Sequence, residues 1–250
     1  MPLLPSRLRA APDPLSLPPA TPPRDPAAPT MLPQSLHGLR GFICVPQVAL
    51  LATPQMSLDS CIARLSYGAR VTHRRATDTW LEIESVAGTG WVPAASVTPV
   101  EALVLPHLSP GELYTAEQVE TRKLRACIQD AALAGELQLP LQDLELAFYH
   151  LWRRGTRFTW PAERPRTAGR WHQILRGVRD VSMSIEPHTN AILEYQGNGT
   201  PGFLGIVTAV TPEQVITVAS VGRTVAGLYQ EETFSPLQWR EWRPIFISCT

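Results

Sequence analysis

The chain has 250 residues, with 22 basic and 22 acidic side chains, a formal net charge of zero and a pI near 7.0. This balance gives no electrostatic case for nucleic acid or an anionic membrane surface as a partner, and neither is expected. Hydrophobic residues make up 44% of the chain and charged residues 18%, enough to bury one large core or two small ones.

Residues 1–36 are rich in Pro and Ala and nearly free of aromatic and β-branched side chains. Such a segment cannot recover its ordering entropy by burial, so a disordered or extended tail is expected there. Its prolines leave no apolar run long enough for a signal peptide, and no later stretch is apolar enough to cross a bilayer. The expected location is therefore cytoplasmic, unless the protein is released by lysis, secreted by an apparatus or packaged in a particle. Met31 at the end of the tail leaves the true start open.

From Gly41 the texture changes to short apolar runs separated by turn residues. FICVPQVALLATP, CIARLSYGARVTHRR, WLEIES and GWVPAASV each read as one strand of a small β-barrel. Hairpin turns are expected at Asp78–Thr79 and at Ala87–Gly90. Helical periodicity takes over at 115–135, where Thr115 and Gln118 have capping-box spacing. Val119, Leu124, Cys127, Ile128 and Ala131 share one face, and Gly135 is the expected stop. Further helices are expected over 141–154 and 168–177. Strand patterns then return in NAILEY, GFLGIVTAV, QVITVAS and PIFIS, joined by turn-rich QGNGTPG and TPE. LQWREWRP reads as a short amphipathic helix.

Four cysteines, Cys44, Cys61, Cys127 and Cys249, show no C-x-x-C spacing and read as buried thiols rather than as a zinc site, redox pair or disulfide scaffold. No metal or cofactor is expected. His150, His172 and His188 lack metal-ligand spacing to another His, Asp or Glu. Glu145 and Glu194 are carboxylates that sequence cannot place within reach of each other.

Two family resemblances organise these elements. The series Leu50–Pro54, Ile62–Val71, Trp80–Ile83 and Gly90–Val97 resembles a bacterial SH3 domain, which implies a binding or spacing module over 40–100, often for cell-wall peptides. Trp80 and Trp91 are then candidates to line a peptide groove. FYHLWRRGTRFTW, AGRWHQILRG with NAILEY, and GFLGIVTAV with ITVAS resemble the papain-like CHAP family of cysteine- and histidine-dependent amidohydrolases and peptidases. That implies a domain over 112–250 with N-terminal helices and an antiparallel sheet. The expected fold class is mainly β plus α+β, a small SH3-like barrel followed by a papain-like domain.

The chemistry of that family needs a thiolate at a helix N-terminus, an imidazole on the facing strand and a polar residue to orient it. Set in register by Arg153 and Arg154, the resemblance places these roles at Leu146, Phe203 and Ser220. Leu146 and Phe203 can neither attack a carbonyl nor move a proton, and no cysteine lies between Cys127 and Cys249. The fallback candidates are Cys127 as nucleophile and His150 or His172 as base. The expected function is a non-catalytic binding or structural protein, whose partner is a cell-wall peptide or a protein of a larger phage-like or envelope assembly. The alternative is an active peptidoglycan amidase or endopeptidase with displaced catalytic residues.

Overall fold

The computed structural model describes residues 37–129, 138–156, 158–163, 165–197 and 202–250. The expectations of a disordered tail over 1–36, a buried Ala131 and a helix stop at Gly135, and the centre of QGNGTPG, lie outside these residues. The chain is α+β, built on two antiparallel sheets with few helices.

The first sheet holds β1 (Arg40–Ile43), β2 (Gln47–Leu51), β3 (Cys61–Ser66), β4 (Arg70–Ala76), β5 (Trp80–Ser85), β6 (Gly88–Pro93) and β7 (Val97–Thr98), in the order β3-β2-β6-β5-β4-β1-β7. Inward residues Ile43, Leu50, Leu65, Val71, Leu81, Ile83 and Val92 come from six strands yet form one cluster, so the sheet curls around its own core. Two of the expected single strands are in fact pairs. FICVPQVALLATP bends at Val45–Pro46 into β1 and β2, and CIARLSYGARVTHRR reverses at Gly68, whose φ is +78°. The second expected turn also sits earlier than predicted. Ser85 pairs with Gly88 across Val86–Ala87, a two-residue loop. The turn at Asp78–Thr79 lies between β4 and β5 as drawn, with Thr77 Oγ1 accepting from Trp80 N at 3.1 Å.

His73 points into this core, 5% exposed, and neither ring nitrogen has a partner among the described residues. Burial holds its pKa below the ordinary 6.5, and burial lowers that of His150 as well. The unfolded chain therefore takes up protons near pH 6.5 that the folded chain refuses, so stability falls as pH drops. The urea midpoint is expected to be lower at pH 5.0 than at pH 7.5. Each histidine contributes at most about 1.4 kcal/mol per pH unit, and His73→Leu should flatten the dependence.

Between the sheets run α1 (Val119–Ile128) and α2 (Asp143–Arg154). The first helix starts three residues later than the Thr115 signal implies. Gln118 is its N-cap with extended backbone, and no side chain caps it. Val119, expected on the buried face, is 54% exposed because it opens the first turn, ahead of the Thr121, Leu124 and Cys127 stripe that packs inward. The second helix follows its pattern closely. Asp143 and Glu145 in the first turn and Arg153 and Arg154 in the last oppose the macrodipole, and Gly155 (φ +69°) ends it in the left-handed conformation.

The third expected helix shrinks to α3 (Trp171–Ile174), flanked by turns. The second sheet contains β8 (Val181–Ser184), β9 (Ile192–Tyr195), β10 (Phe203–Val210), β11 (Ile216–Val221), β12 (Tyr229–Phe234) and β13 (Ile245–Cys249), with α4 (Pro236–Glu241) before the last strand. Their order is β12-β11-β10-β9-β13-β8. β8 and β12 escaped prediction because both are edge strands. The first is half serine, and the second carries Glu231 and Glu232.

Both faces of β10 are covered. Leu204 and Ile206 join the cluster with α2, whereas Phe203 and Val207 join Trp239 and Phe246 on the far face. Phe42 of the first sheet also enters the α2 cluster, so the curled sheet is packed onto the helices. At this seam a Cβ on Gly68 would lie 2.9 Å from Trp152 Cη2 and 3.0 Å from Cys127 Sγ. Gly68→Ala should therefore lower stability in urea titration, by about 1–2 kcal/mol for the backbone and about 1–3 kcal/mol for overpacking.

Candidate functional site

The start of α2 packs against the start of β10. The first helical residue is Asp143, one turn before Leu146. Its Oδ2 accepts from Leu204 N at 2.7 Å, and its Oδ1 accepts from Leu144 N at 2.7 Å. Burial raises the Asp143 pKa, and the backbone donors pull the other way. A carboxylate, with no thiol beside it, thus occupies the helix N-terminus and ties it to the strand.

A cleft of about 380 Å³ opens here, lined among others by Gln142, Asp143, Gly202, Phe203, Gly222 and Arg223. Arg223, in the turn between β11 and β12, is gripped by the carboxylate of Glu232, with Nε at 2.9 Å. Its guanidinium carbon lies 5.8 Å from the Phe203 ring centroid and 5.7 Å from that of Phe234. Neither Asp143 nor Arg223 was singled out from the sequence. The start of the second amphipathic pattern was the only signal available for Asp143, and nothing in the pattern marks Arg223.

The predicted positions scatter relative to this cleft. Leu146 is buried in the cluster between α2 and the sheet. Phe203 reaches the cleft from the opposite face of β10, and Ser220, 2% exposed, shares the parity of Val218 on that same far face. The fold therefore does not bring Leu146 together with Phe203 and Ser220. On the α2 side the strand offers Leu204 and Ile206, which are apolar.

The fallback groups are equally separated. Cys127 is 2% exposed inside α1, and burial pushes its pKa to about 12. His150 Nε2 meets the carbonyl of Asn190 at 3.0 Å. His172 Nδ1 lies 2.8 Å from Glu194 Oε2, and the same buried carboxylate accepts from the backbone N–H groups of Trp171 and His172 at 2.8 and 2.9 Å. Glu194 thus anchors α3 to β9. Glu145 is bound by Arg125, so the two glutamates serve separate structures. His188 is exposed. Trp80 and Trp91 are half-buried on the first sheet, where Trp91 lies opposite Glu82 and under Arg75, 5.5 Å from ring centroid to guanidinium carbon. No group of three or more His, Cys, Asp and Glu able to hold a metal occurs among the described residues, and none of their helices is long and apolar enough to cross a membrane.

Among the solved structures that resemble the chain are the following three. An N-acetylmuramoyl-L-alanine amidase from Staphylococcus aureus aligns at 17% identity and TM-score 0.36, over 44% of this chain and 31% of its own. An NlpC/P60 endopeptidase from Photobacterium damselae subsp. piscicida aligns at 12% identity and TM-score 0.24, over 83% and 33%. NlpC2 from Trichomonas vaginalis aligns at 9% identity and TM-score 0.24, over 77% and 66%. The chain thus spans about a third of the length of the first two. No family model matches the chain, and no curated protein matches it in sequence. Likenesses at these TM-scores do not bear on the chemistry, which rests on the residues of this chain.

Proposed function

We propose that the chain is a non-catalytic binding or structural protein, with an SH3-like module over 40–100 joined to a degenerate papain-like domain over 112–250. The observation that carries this reading is Asp143 at the start of α2, its carboxylate spent on the N–H of Leu204. Acyl transfer at a helix N-terminus needs a nucleophile there and a base within reach. Here the position is held by an aspartate tied to backbone N–H groups, and the described lining of the cleft beside it contains no cysteine or histidine. Cys127 cannot substitute, because a buried thiol with a pKa near 12 holds almost no thiolate at neutral pH. The sequence resemblances make a cell-wall peptide, or a protein of an envelope or phage-like assembly, the partner.

The test is purified peptidoglycan incubated with the full chain and with its Cys127→Ala variant, scored for soluble fragments and for retention in a pull-down. Retention without release is expected, identically for both proteins. Neither release nor retention would move the partner from wall peptide to protein. Release by the wild type that the variant lacks would overturn the reading and make Cys127 a nucleophile.

A further inference from the structure

We infer that the chain forms a two-fold dimer in which β8 pairs antiparallel with β8 of a second copy, joining their six-stranded sheets into one. β8 is the last strand of its sheet and pairs only with β13 among the described residues. The backbone groups of an antiparallel strand point alternately to its two neighbours. Thr250 N donates to Asp180 O at 3.0 Å, so these two residues form a hydrogen-bonded pair. The same register makes hydrogen-bonded pairs of Ser182 with Ser248 and of Ser184 with Phe246. The N–H and C=O of Met183, the C=O of Val181 and the N–H of Ile185 therefore point away from the sheet. Val181 N also faces outward, but it is taken: it donates to Val178 O at 3.3 Å.

Open edges are ordinarily covered or charged, because a bare one invites another strand. The far edge of this sheet is treated so. Gly111 N donates to Tyr229 O, Tyr229 N donates to Glu112 O, and Glu231 and Glu232 follow on β12. β8 has neither device. No charge and no proline occur from Val181 to Ile185, and Ile185 is 76% exposed.

The occupant is written into the edge itself. Val-Ser-Met-Ser-Ile has the same pattern in both directions about Met183. A two-fold axis perpendicular to a sheet sets residues of like face opposite one another, so it passes at a residue and not between two. Centred on Met183, it pairs Met183 with Met183, Ser182 with Ser184 and Val181 with Ile185. Met183 N–H then donates to Met183 C=O in both directions, and Ile185 N–H donates to Val181 C=O across the axis. Centred on Ser182 instead, the pairing would need Val181 N, which Val178 has taken. Val181 and Met183 already pack against the cluster that holds α2, so the second copy extends an existing apolar face. Asp180, which closes the run, has its carboxylate 3.8 Å from Arg179 Nε and so brings a counter-charge to Glu186 of the second copy.

Sedimentation equilibrium of the full chain tests this, with hydrogen exchange followed over the same concentrations. The mass should rise from 27.6 kDa to twice that value and stop there. The amides of Met183 and Ile185 should exchange more slowly as the dimer fills. Met183→Pro removes an N–H that β13 does not use, so it should keep the fold and weaken the dimer about tenfold or more. Should this variant fail to fold, Ile185→Lys decides. That side chain is exposed in the single chain, and lysine there sets a charge against Val181 of the second copy, again weakening association about tenfold or more. A mass of 27.6 kDa at every concentration up to about 1 mM, the weak end of specific association, would overturn the inference. A dimer as tight in a folded variant as in the wild type overturns it too, because the interface then lies elsewhere. Mass that keeps growing beyond the dimer rules out the two-fold pairing, which closes after two copies.

Discussion

Asp143→Cys is expected to create a thiol that alkylates at pH 7 at least about 100-fold faster than native Cys127. The new thiol would sit at the first position of a twelve-residue helix and line an open cleft. Thiols at helix N-termini have pKa values lowered to between roughly 3.5 and 7.5, so a large fraction is thiolate at neutral pH. Cys127, by contrast, is buried in α1 with its pKa pushed up to about 12, which leaves on the order of one part in 10⁵ ionised at pH 7. Intrinsic nucleophilicity falls as pKa falls, and this narrows the gap without closing it. The check is mass-spectrometric alkylation by iodoacetamide as a function of pH, with exposed Cys61 as the reference for an accessible thiol. Peptidoglycan hydrolysis should not appear in this variant, because Leu204 and Phe203 cannot relay a proton. The lost bond from Leu204 N should cost about 1–3 kcal/mol of stability. A new thiol as inert as Cys127 would mean that the start of α2 is closed to ligands.

Removing one partner of the Arg125–Glu145 pair should destabilise the fold by about 3–5 kcal/mol. The side chains are 8% and 1% exposed, and two hydrogen bonds of 2.6 and 3.0 Å join them. The pair ties three pieces of chain. Arg125 comes from α1 and also donates from Nη2 to the carbonyl of Leu139 at 2.8 Å. Glu145 comes from α2 and accepts from Gln142 N at 3.0 Å. In Glu145→Ala the guanidinium remains buried and loses both of its bonds to the Glu145 carboxylate. The double change Arg125→Met with Glu145→Leu removes both charges, and it should recover most of the loss because two desolvation penalties disappear together. Urea titration of the three variants checks this. If the single and double changes destabilise equally, packing and not charge is what the pair contributes.

The strands and helices that read clearly in sequence are those with one buried face. WLEIES alternates cleanly and is β5 without adjustment, and the 141–154 pattern is α2 to within two residues. Where two strands meet at a tight turn the apolar pattern runs on unbroken, so β3 and β4 read as one strand until Gly68 is placed in its left-handed turn. The edge strands β8 and β12 carry too little apolar alternation to be seen. The cysteine spacing was also legible: no cysteine lies between Cys127 and Cys249, a fact that no folding can alter.

What the sequence by itself determined is therefore the α+β composition, the order of helices before an antiparallel sheet and the absence of any cysteine between Cys127 and Cys249. Periodicity and residue identity are local properties, readable without neighbours. Only the tertiary structure decided which residues face one another. A one-residue change in strand parity moves a side chain to the other face, and that is how Phe203 and Ser220 come to lie across the sheet from Leu146. The meeting of Asp143 with Leu204 N, 61 residues apart, and the approach of Arg223 to the same cleft depend on pairings between distant segments. No local pattern encodes such pairings, because they are selected by the burial of whole faces.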